Sequence, residues 1–373
     1  MRVGLDGIVF RGRDAGTLRY SEQLLRGLAA CSPEHRYVIF GSPAAFRPEA
    51  TPRSSRFIYL DPRPKPIFPR ALQQQLYRSW SARGPLDLLH SLAFVPPLGY
   101  RGATVTTIHD LVFVVHPETK KWTGRLWWNI FGRKGIEKSD RIMAVSECTR
   151  RDLIRLFHVP GEKVRVVYPC TRDLFHPSDS GPMRTKYHLP SKYILYVGTL
   201  ERRKNIANVI RAYSEARRMG LPDHALVLAG EPGWLYGDIS RTVEELDLRD
   251  RVLFTGYVPD EDLPGLYSGA DLFVFLSKYE GFGLPVLEAM ACGVPVLASN
   301  VSSLPEVVGD AGVLIPPDDV QCAAHEILRI ISDKDLRSQM RTKGLDRASG
   351  FTPERMGREA LAVYEEAVQC TSA

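Results

Sequence analysis

Cysteine is scarce in this 373-residue sequence. The six present (Cys31, Cys148, Cys170, Cys292, Cys322 and Cys370) lie more than 20 residues apart, without a C-x-x-C pair. The nine histidines form no H-x3-H pair. These absences argue against a structural zinc site, and thinly spread thiols fit a reducing cytoplasm. Also missing is any uncharged apolar run of about 18 residues, so no membrane-spanning helix is expected. The opening MRVGLDGIVFRGRD carries a charge at Asp6 and glycines inside its apolar run, which does not suit a secretory signal. The 30 glycines and 27 prolines are dispersed, leaving no collagenous or low-complexity tract.

What is present describes a folded, two-domain protein. Hydrophobic residues make up 44% and charged residues 25%, and the length suits two domains of about 100–200 residues each. The net charge of +6 is unevenly shared: residues 1–180 carry 28 basic against 16 acidic groups, and residues 181–373 carry 21 against 27. A basic first half favours an anionic surface: a phospholipid leaflet, a diphosphate-linked acceptor or nucleic acid.

Both halves alternate apolar runs with helical stretches. In the second, Tyr193–Val197, Ala225–Ala229, Val252–Phe254, Leu272–Leu276, Val294–Ala298 and Gly312–Ile315 read as strands, with helices near Asn205–Arg218 and Asp262–Gly269. Continuous apolar strands separated by helices predict a buried parallel sheet, with ligands beyond the carboxyl ends of the strands. The first half repeats the rhythm more faintly at Arg2–Leu5, Tyr37–Phe40, Arg56–Tyr59, Leu88–His90, Thr104–Ile108, Arg141–Val145 and Val164–Val167. A glycine-containing loop at Gly12–Gly16 leads into a helix there, and Ser146 sits in the N-cap position of a helix over Glu147–Phe157. The proline-rich, apolar-poor stretch Tyr168–Pro190 reads as the connection between two Rossmann-like domains. A last helix is predicted after Thr352 and Pro353, with Ala360, Val363, Tyr364 and Val368 on one face.

Three segments at predicted strand ends carry residues suited to chemistry. Gly198-Thr199-Leu200-Glu201-Arg202-Arg203-Lys204-Asn205 places cations at a helix start, where a phosphate is readily held. Glu280-Gly281-Phe282-Gly283-Leu284-Pro285-Val286-Leu287-Glu288 opens a second helix. Its glycines allow close backbone approach, and Glu288 falls about one and a half turns into the helix, beside the same crevice. Ile108-His109-Asp110 ends a first-half strand. Each residue also has a plainer role open to it: solvated helix-start cations, Glu280 as a loop acid, Glu288 as a core partner, His109 as a structural histidine.

The spacing Glu280-x7-Glu288 within EGFGLPVLEAMACGVPVLAS closely resembles the signature of retaining family-4 glycosyltransferases of the GT-B fold. VGTLERRKN, LPEVVGDAGVLIPPDD, TTIHD and DRIMAVSECTRRDL resemble further landmarks of that family, and the last helix resembles the one that crosses back onto its first domain. The resemblance implies an α/β chain of two Rossmann-like domains facing across a cleft. Residues 1–172 would form an acceptor-binding domain carrying helix 352–373, residues 173–190 a linker, and residues 191–351 a nucleotide-sugar-binding domain. It implies a retaining, metal-independent hexosyl transfer from a nucleotide diphosphate sugar, with no cofactor. Arg203 and Lys204 would hold the diphosphate, Glu280 the transferred sugar and Glu288 the ribose. Phe282, Gly283 and Leu284 would offer backbone N–H groups, Gly16 would give the diphosphate space, His109 would touch the sugar, and Tyr257 and Val258 would lie near the base.

Two departures stand out. Thr199 occupies a place where many relatives have arginine, so that Arg202 or Arg203 becomes a candidate substitute. Tyr168-Pro169-Cys170-Thr171 stands where relatives often show Asn-Gly. The overall pattern is similar to mannosyltransferases of surface-polysaccharide assembly, which favours GDP-mannose as donor and a glycan or lipid-diphosphate-linked acceptor. The mixed basic and aromatic stretch Lys120–Lys134 suits either inward packing or a membrane surface. A cytoplasmic protein, peripheral at the inner membrane face, follows from the second option. Nucleic acid is not an expected partner, since no motif for it is present. The alternatives are a GT-B nucleotide-sugar epimerase and a non-catalytic relative that binds glycan or anionic membrane.

Overall fold

A computed structural model of the protein describes residues 1–7, 15–32, 34–41, 56–60, 85–119, 128–233 and 237–372. The chain divides into two compact units, one of Met1–Cys170 with Phe351–Ala373, the other of Thr171–Gly350. Among the described residues, each is built on one sheet whose strand pairs are all parallel.

In the first unit the strands are β1 (Arg2–Asp6), β2 (Arg36–Phe40), β3 (Phe57–Leu60), β4 (Leu88–Ser91), β5 (Ala103–Ile108), β6 (Arg141–Ala144) and β7 (Val164–Val166). They lie in the order β3-β2-β1-β4-β5-β6-β7. The long first helix, Ala15–Cys31, buries Leu18, Leu24, Leu25 and Leu28. Ser146 caps the helix Glu147–Phe157, its hydroxyl accepting the Thr149 N–H at 3.0 Å. The last helix, Pro353–Ser372, belongs to this unit although it ends the chain. The Thr352 hydroxyl accepts the Arg355 N–H, and Ala360, Val363 and Tyr364 are buried. Val368 is half-buried. Gly27 and Gly357 let this helix meet the first backbone to backbone, since a Cβ on Gly27 would overlap the Pro353 carbonyl and one on Gly357 would overlap Gly27. Glu366 then ties the helix to the sheet, accepting from Arg141 at 2.9 Å and Arg165 at 3.1 Å.

The second unit contains β8 (Tyr193–Val197), β9 (Ala225–Ala229), β10 (Val252–Gly256), β11 (Leu272–Phe275), β12 (Val296–Ser299) and β13 (Val313–Ile315). Their order is β10-β9-β8-β11-β12-β13. All five residues of β8 and all four of β11 are buried, which explains their unbroken apolar sequence. The sheet grows outward from β8 in both directions, so the connections leaving β8 and β11 diverge. That divergence opens the crevice in which doubly wound sheets receive ligands.

The segment 173–190 was expected to be a linker, and in the structure it is part of the second unit. Phe175 and Leu189 are buried, Lys186 and Tyr187 both bond the Asp262 carboxylate, and Arg184 reaches the Gly269 carbonyl. A few well-placed apolar side chains and a buried carboxylate anchor a stretch whose prolines suggested independence. The loop Gly12–Asp14 and most of the stretch Lys120–Lys134 (residues 120–127) lie outside the described residues. Among those described, no helix is long and apolar enough to cross a membrane.

Candidate functional site

The crevice of the second unit is built from two turns. After β8, Gly198 adopts φ +149° and the chain passes through Thr199 and Leu200 into a short 3-10 turn, Arg202–Lys204. Asn205, at φ +60°, starts the helix Ile206–Arg218. After β11, residues 276–283 lead into the helix Leu284–Ala291, with Gly283 at φ +106°. A Cβ on Gly283 would stand 2.6 Å from Leu304 Cδ2, so glycine is required there for both conformation and space. Pro285 has no N–H to satisfy, and Leu284 begins the first turn, whose donors face away from the helix.

The two turns meet at an ionic cluster. Lys204 Nζ lies 2.7 Å from Glu280 Oε1, and Arg203 Nη1 lies 3.2 Å from the same oxygen. Arg203 Nη2 donates to Glu201 Oε1 at 2.6 Å, and Nη1 also donates to the Tyr279 carbonyl. The Lys204 ammonium sits 5.1 Å from the centre of the Phe275 ring, which stacks in turn on Tyr196. Burial alone would raise the Glu280 carboxyl, but the Lys204 and Arg203 cations outweigh it and hold it down to about 2. Burial pulls the Lys204 ammonium below its ordinary value, against the pull of Glu280.

A group of serines that carried no signal of its own in the sequence fixes Glu280. Ser302, at φ +60°, accepts the Glu280 N–H at 3.0 Å and donates to the Glu280 carbonyl at 2.6 Å. Ser303 donates to the carbonyls of Glu280 and Phe282. Ser277 donates to the Tyr279 carbonyl and Ser299 to that of Ser277. The available clue was the pair Ser302-Ser303 ahead of a helix, a composition too common in turns to point anywhere.

The remaining expected residues have surroundings of their own. Glu288 is buried and accepts from the Tyr267 hydroxyl at 3.1 Å. Phe282 and Gly283 are buried and Leu284 half-buried. Thr199 is exposed beside Gly198, its carbonyl accepting from the Tyr196 hydroxyl. Gly256, at φ +68°, turns the chain at the end of β10, leaving Tyr257 61% exposed while Val258 is buried.

In the first unit, His109 follows β5. Its Nε2 lies 2.8 Å from the Leu92 carbonyl, which only accepts, so Nε2 carries the proton and Nδ1 holds the lone pair. Burial lowers the imidazole's affinity for a second proton. Tyr20 and Phe94 pack edge-on against the ring. Gly16 is exposed in the first turn of the helix Ala15–Cys31, with no atom of the described residues within 4 Å of where a Cβ would stand.

Residues 15–172 match the family model for Glycosyltransferase Family 4, and residues 184–347 match that for Glycosyl transferases group 1. An O-antigen chain mannosyltransferase B of Escherichia coli is 36% identical over 293 residues, covering 77% of this chain and 77% of its own. The chain belongs to glycosyltransferase family 4. As a glycosyltransferase it also shares the fold of solved structures over essentially its whole length. Sucrose-phosphate synthase of Thermosynechococcus elongatus has a TM-score of 0.79 at 24% identity, covering 99% of this chain and 100% of its own. HepE of Anabaena, solved with UDP and glucose, has a TM-score of 0.75 at 19% identity, covering 97% of this chain and 98% of its own. The architecture of this glycosyltransferase is therefore the GT-B type, with an α/β unit for each family model.

Proposed function

We propose that this glycosyltransferase moves mannose from GDP-mannose to a glycan or lipid-diphosphate-linked acceptor in surface-polysaccharide assembly, with retention and without a metal. The observation that carries the reading is the meeting of Lys204 and Glu280 at the diverging ends of β8 and β11. A cation and a carboxylate are thereby fixed where a doubly wound sheet takes a nucleotide. The mannosyltransferase relative favours the sugar, and the HepE complex offers precedent within the fold for a nucleoside diphosphate.

In this reading Lys204 takes up charge on the departing diphosphate, a preorganised cation where other enzymes use a divalent ion. Among the described residues no three His, Cys, Asp or Glu side chains gather as a metal site. Glu280, ionised at all ordinary pH, accepts from hydroxyls of the transferred sugar. Glu288 accepts from the ribose, Phe282, Gly283 and Leu284 present N–H groups, and Tyr257 and Val258 serve the base. His109 offers the Nδ1 lone pair to a sugar hydroxyl, Gly16 gives the diphosphate space, and Thr199 belongs to the donor-binding turn after β8. Retention would follow from attack on the face that the leaving group vacates, the departing phosphate taking the acceptor's proton.

The test is a thermal-shift panel of GDP, UDP, ADP and dTDP with and without EDTA, followed by GDP release from GDP-mannose. Ligand at about 100 times its dissociation constant adds about 2.7 kcal/mol. Stabilisation by GDP, unchanged by EDTA, with release that depends on added glycan, is the expected result. Stabilisation by none of the four overturns the donor reading, and turnover without any acceptor points to an epimerase.

A further inference from the structure

The two adjacent cations of the turn after β8 are held very differently. Arg203 is committed within the protein: one terminal nitrogen faces Glu280 Oε1 and donates to the Tyr279 carbonyl, and the other donates to Glu201. Its backbone carbonyl accepts from the Lys278 N–H at 3.0 Å and from the Ser277 hydroxyl at 3.4 Å, so the residue laces the turn after β8 to the turn after β11. Both terminal nitrogens of this guanidinium therefore already have protein partners, two of them carboxylates. Lys204 has, among the described residues, a single hydrogen-bond partner, Glu280 Oε1, and an aromatic face beneath it. An ammonium has three donors, which leaves Lys204 able to meet a phosphate while keeping Glu280.

We propose that Arg203 is the positioning residue of the site, its guanidinium fixing the Glu280 carboxylate beside Lys204, and that of the two cations Lys204 alone binds the diphosphate. On this assignment the place of Thr199, where many relatives carry arginine, is not refilled by Arg203. The assignment rests on the donor reading given above.

Binding measurements separate the roles without requiring the acceptor. The probes are the nucleoside diphosphate that stabilises the wild type and its hexose conjugate, titrated calorimetrically into the full chain. Lys204→Met should weaken both ligands by at least about tenfold, the loss of one charge-assisted contact. Arg203→Lys keeps the charge and removes the fork. It should leave the free diphosphate within about twofold of wild type and selectively weaken the sugar conjugate, because only the sugar meets Glu280. Arg203→Lys and Glu280→Gln should be strongly non-additive toward the conjugate, as residues acting through one another are. A merely structural role for Arg203 would weaken both ligands together and would not couple to Glu280. If Arg203→Ala fails to fold, the lysine variant carries the test, with its melting temperature as the control. An equal loss of the free diphosphate in Arg203→Lys and Lys204→Met, or additivity with Glu280→Gln, overturns the inference while leaving the donor reading standing. A wild type that binds no nucleoside diphosphate overturns both.

Discussion

Lys204 and Glu280 lie 76 residues apart in sequence and 2.7 Å apart in space, each with about a tenth of its side chain exposed. The carboxylate therefore neutralises the cation that, on the proposed donor reading, a diphosphate would meet. Removing that negative charge while keeping the shape, as in Glu280→Gln, should tighten binding of the free nucleoside diphosphate by about tenfold, the scale of one partly buried charge several ångströms away. The same change should abolish transfer, because the sugar loses its acceptor, and should lower the melting temperature, because Lys204 is left buried and unpaired. Calorimetry and melting would thus move in opposite directions. Weaker binding alongside lower stability would show that Glu280 supports the fold of the crevice rather than opposing the phosphate.

Gly230, at the end of β9, guards the head of the same turn. It adopts φ +152°, and a Cβ there would run into the Gly198 carbonyl. Gly230→Ala should cost about 2–3 kcal/mol through backbone strain and overpacking. By pushing the Gly198–Thr199 peptide it should also weaken nucleotide binding. Chemical denaturation and nucleotide titration check the two effects, and wild-type affinity in a destabilised variant would refute the second.

Much of this site was legible in the sequence, for identifiable reasons. Buried parallel strands have to be apolar throughout, so YILYV and LFVFL stood out as β8 and β11. Gly283 and Pro285 marked a helix start through their own backbone chemistry. The meeting of Lys204 with Glu280 was legible only through the family resemblance, because strand order is not written locally. The commitments of Arg203 could not be read at all, since one of its partners is a main-chain carbonyl, which every residue has. The segment 173–190 misled because its prolines and charges outnumber the two apolar anchors, Phe175 and Leu189, that hold it to the second unit. His90 went unnoticed as an ordinary polar residue in a strand.

The contact between the first and last helices depends on two facing glycines. Gly27→Ala places a methyl against the Pro353 carbonyl and the Gly357 nitrogen. It should destabilise the first unit by about 2 kcal/mol and make the chain beyond Phe351 more susceptible to limited proteolysis. An unchanged melting temperature and digestion pattern would mean that the helices can separate by a few tenths of an ångström without loss.

His90 lends the first unit a dependence on pH. It is fully buried, with Nδ1 2.7 Å from the Tyr364 hydroxyl and Nε2 2.8 Å from the Thr107 hydroxyl, which itself neighbours Tyr20. Burial and then the nearby His109 push it down to about 3. The folded protein thus keeps this imidazole neutral, while the unfolded chain takes up a proton below about 6.5. The resulting stability is fully present above that value and declines as pH falls from about 6.5 toward about 3, by about 2 kcal/mol at pH 5. His109, also lowered, adds to the decline with the same sign. The carboxylates held low, Glu280 and Glu366, contribute only below the ordinary carboxylate range, so the window from pH 7 to 5 isolates the histidines. His90→Gln should be less stable than wild type at pH 7.5, having lost a fitted hydrogen-bond partner of Tyr364 and Thr107, yet should lose about 2 kcal/mol less on going to pH 5. Unfolding free energies at the two pH values decide the matter: if both proteins fall in parallel, the His90 imidazole takes up its proton as readily in the fold as in the unfolded chain, and the buried neutral imidazole is refuted.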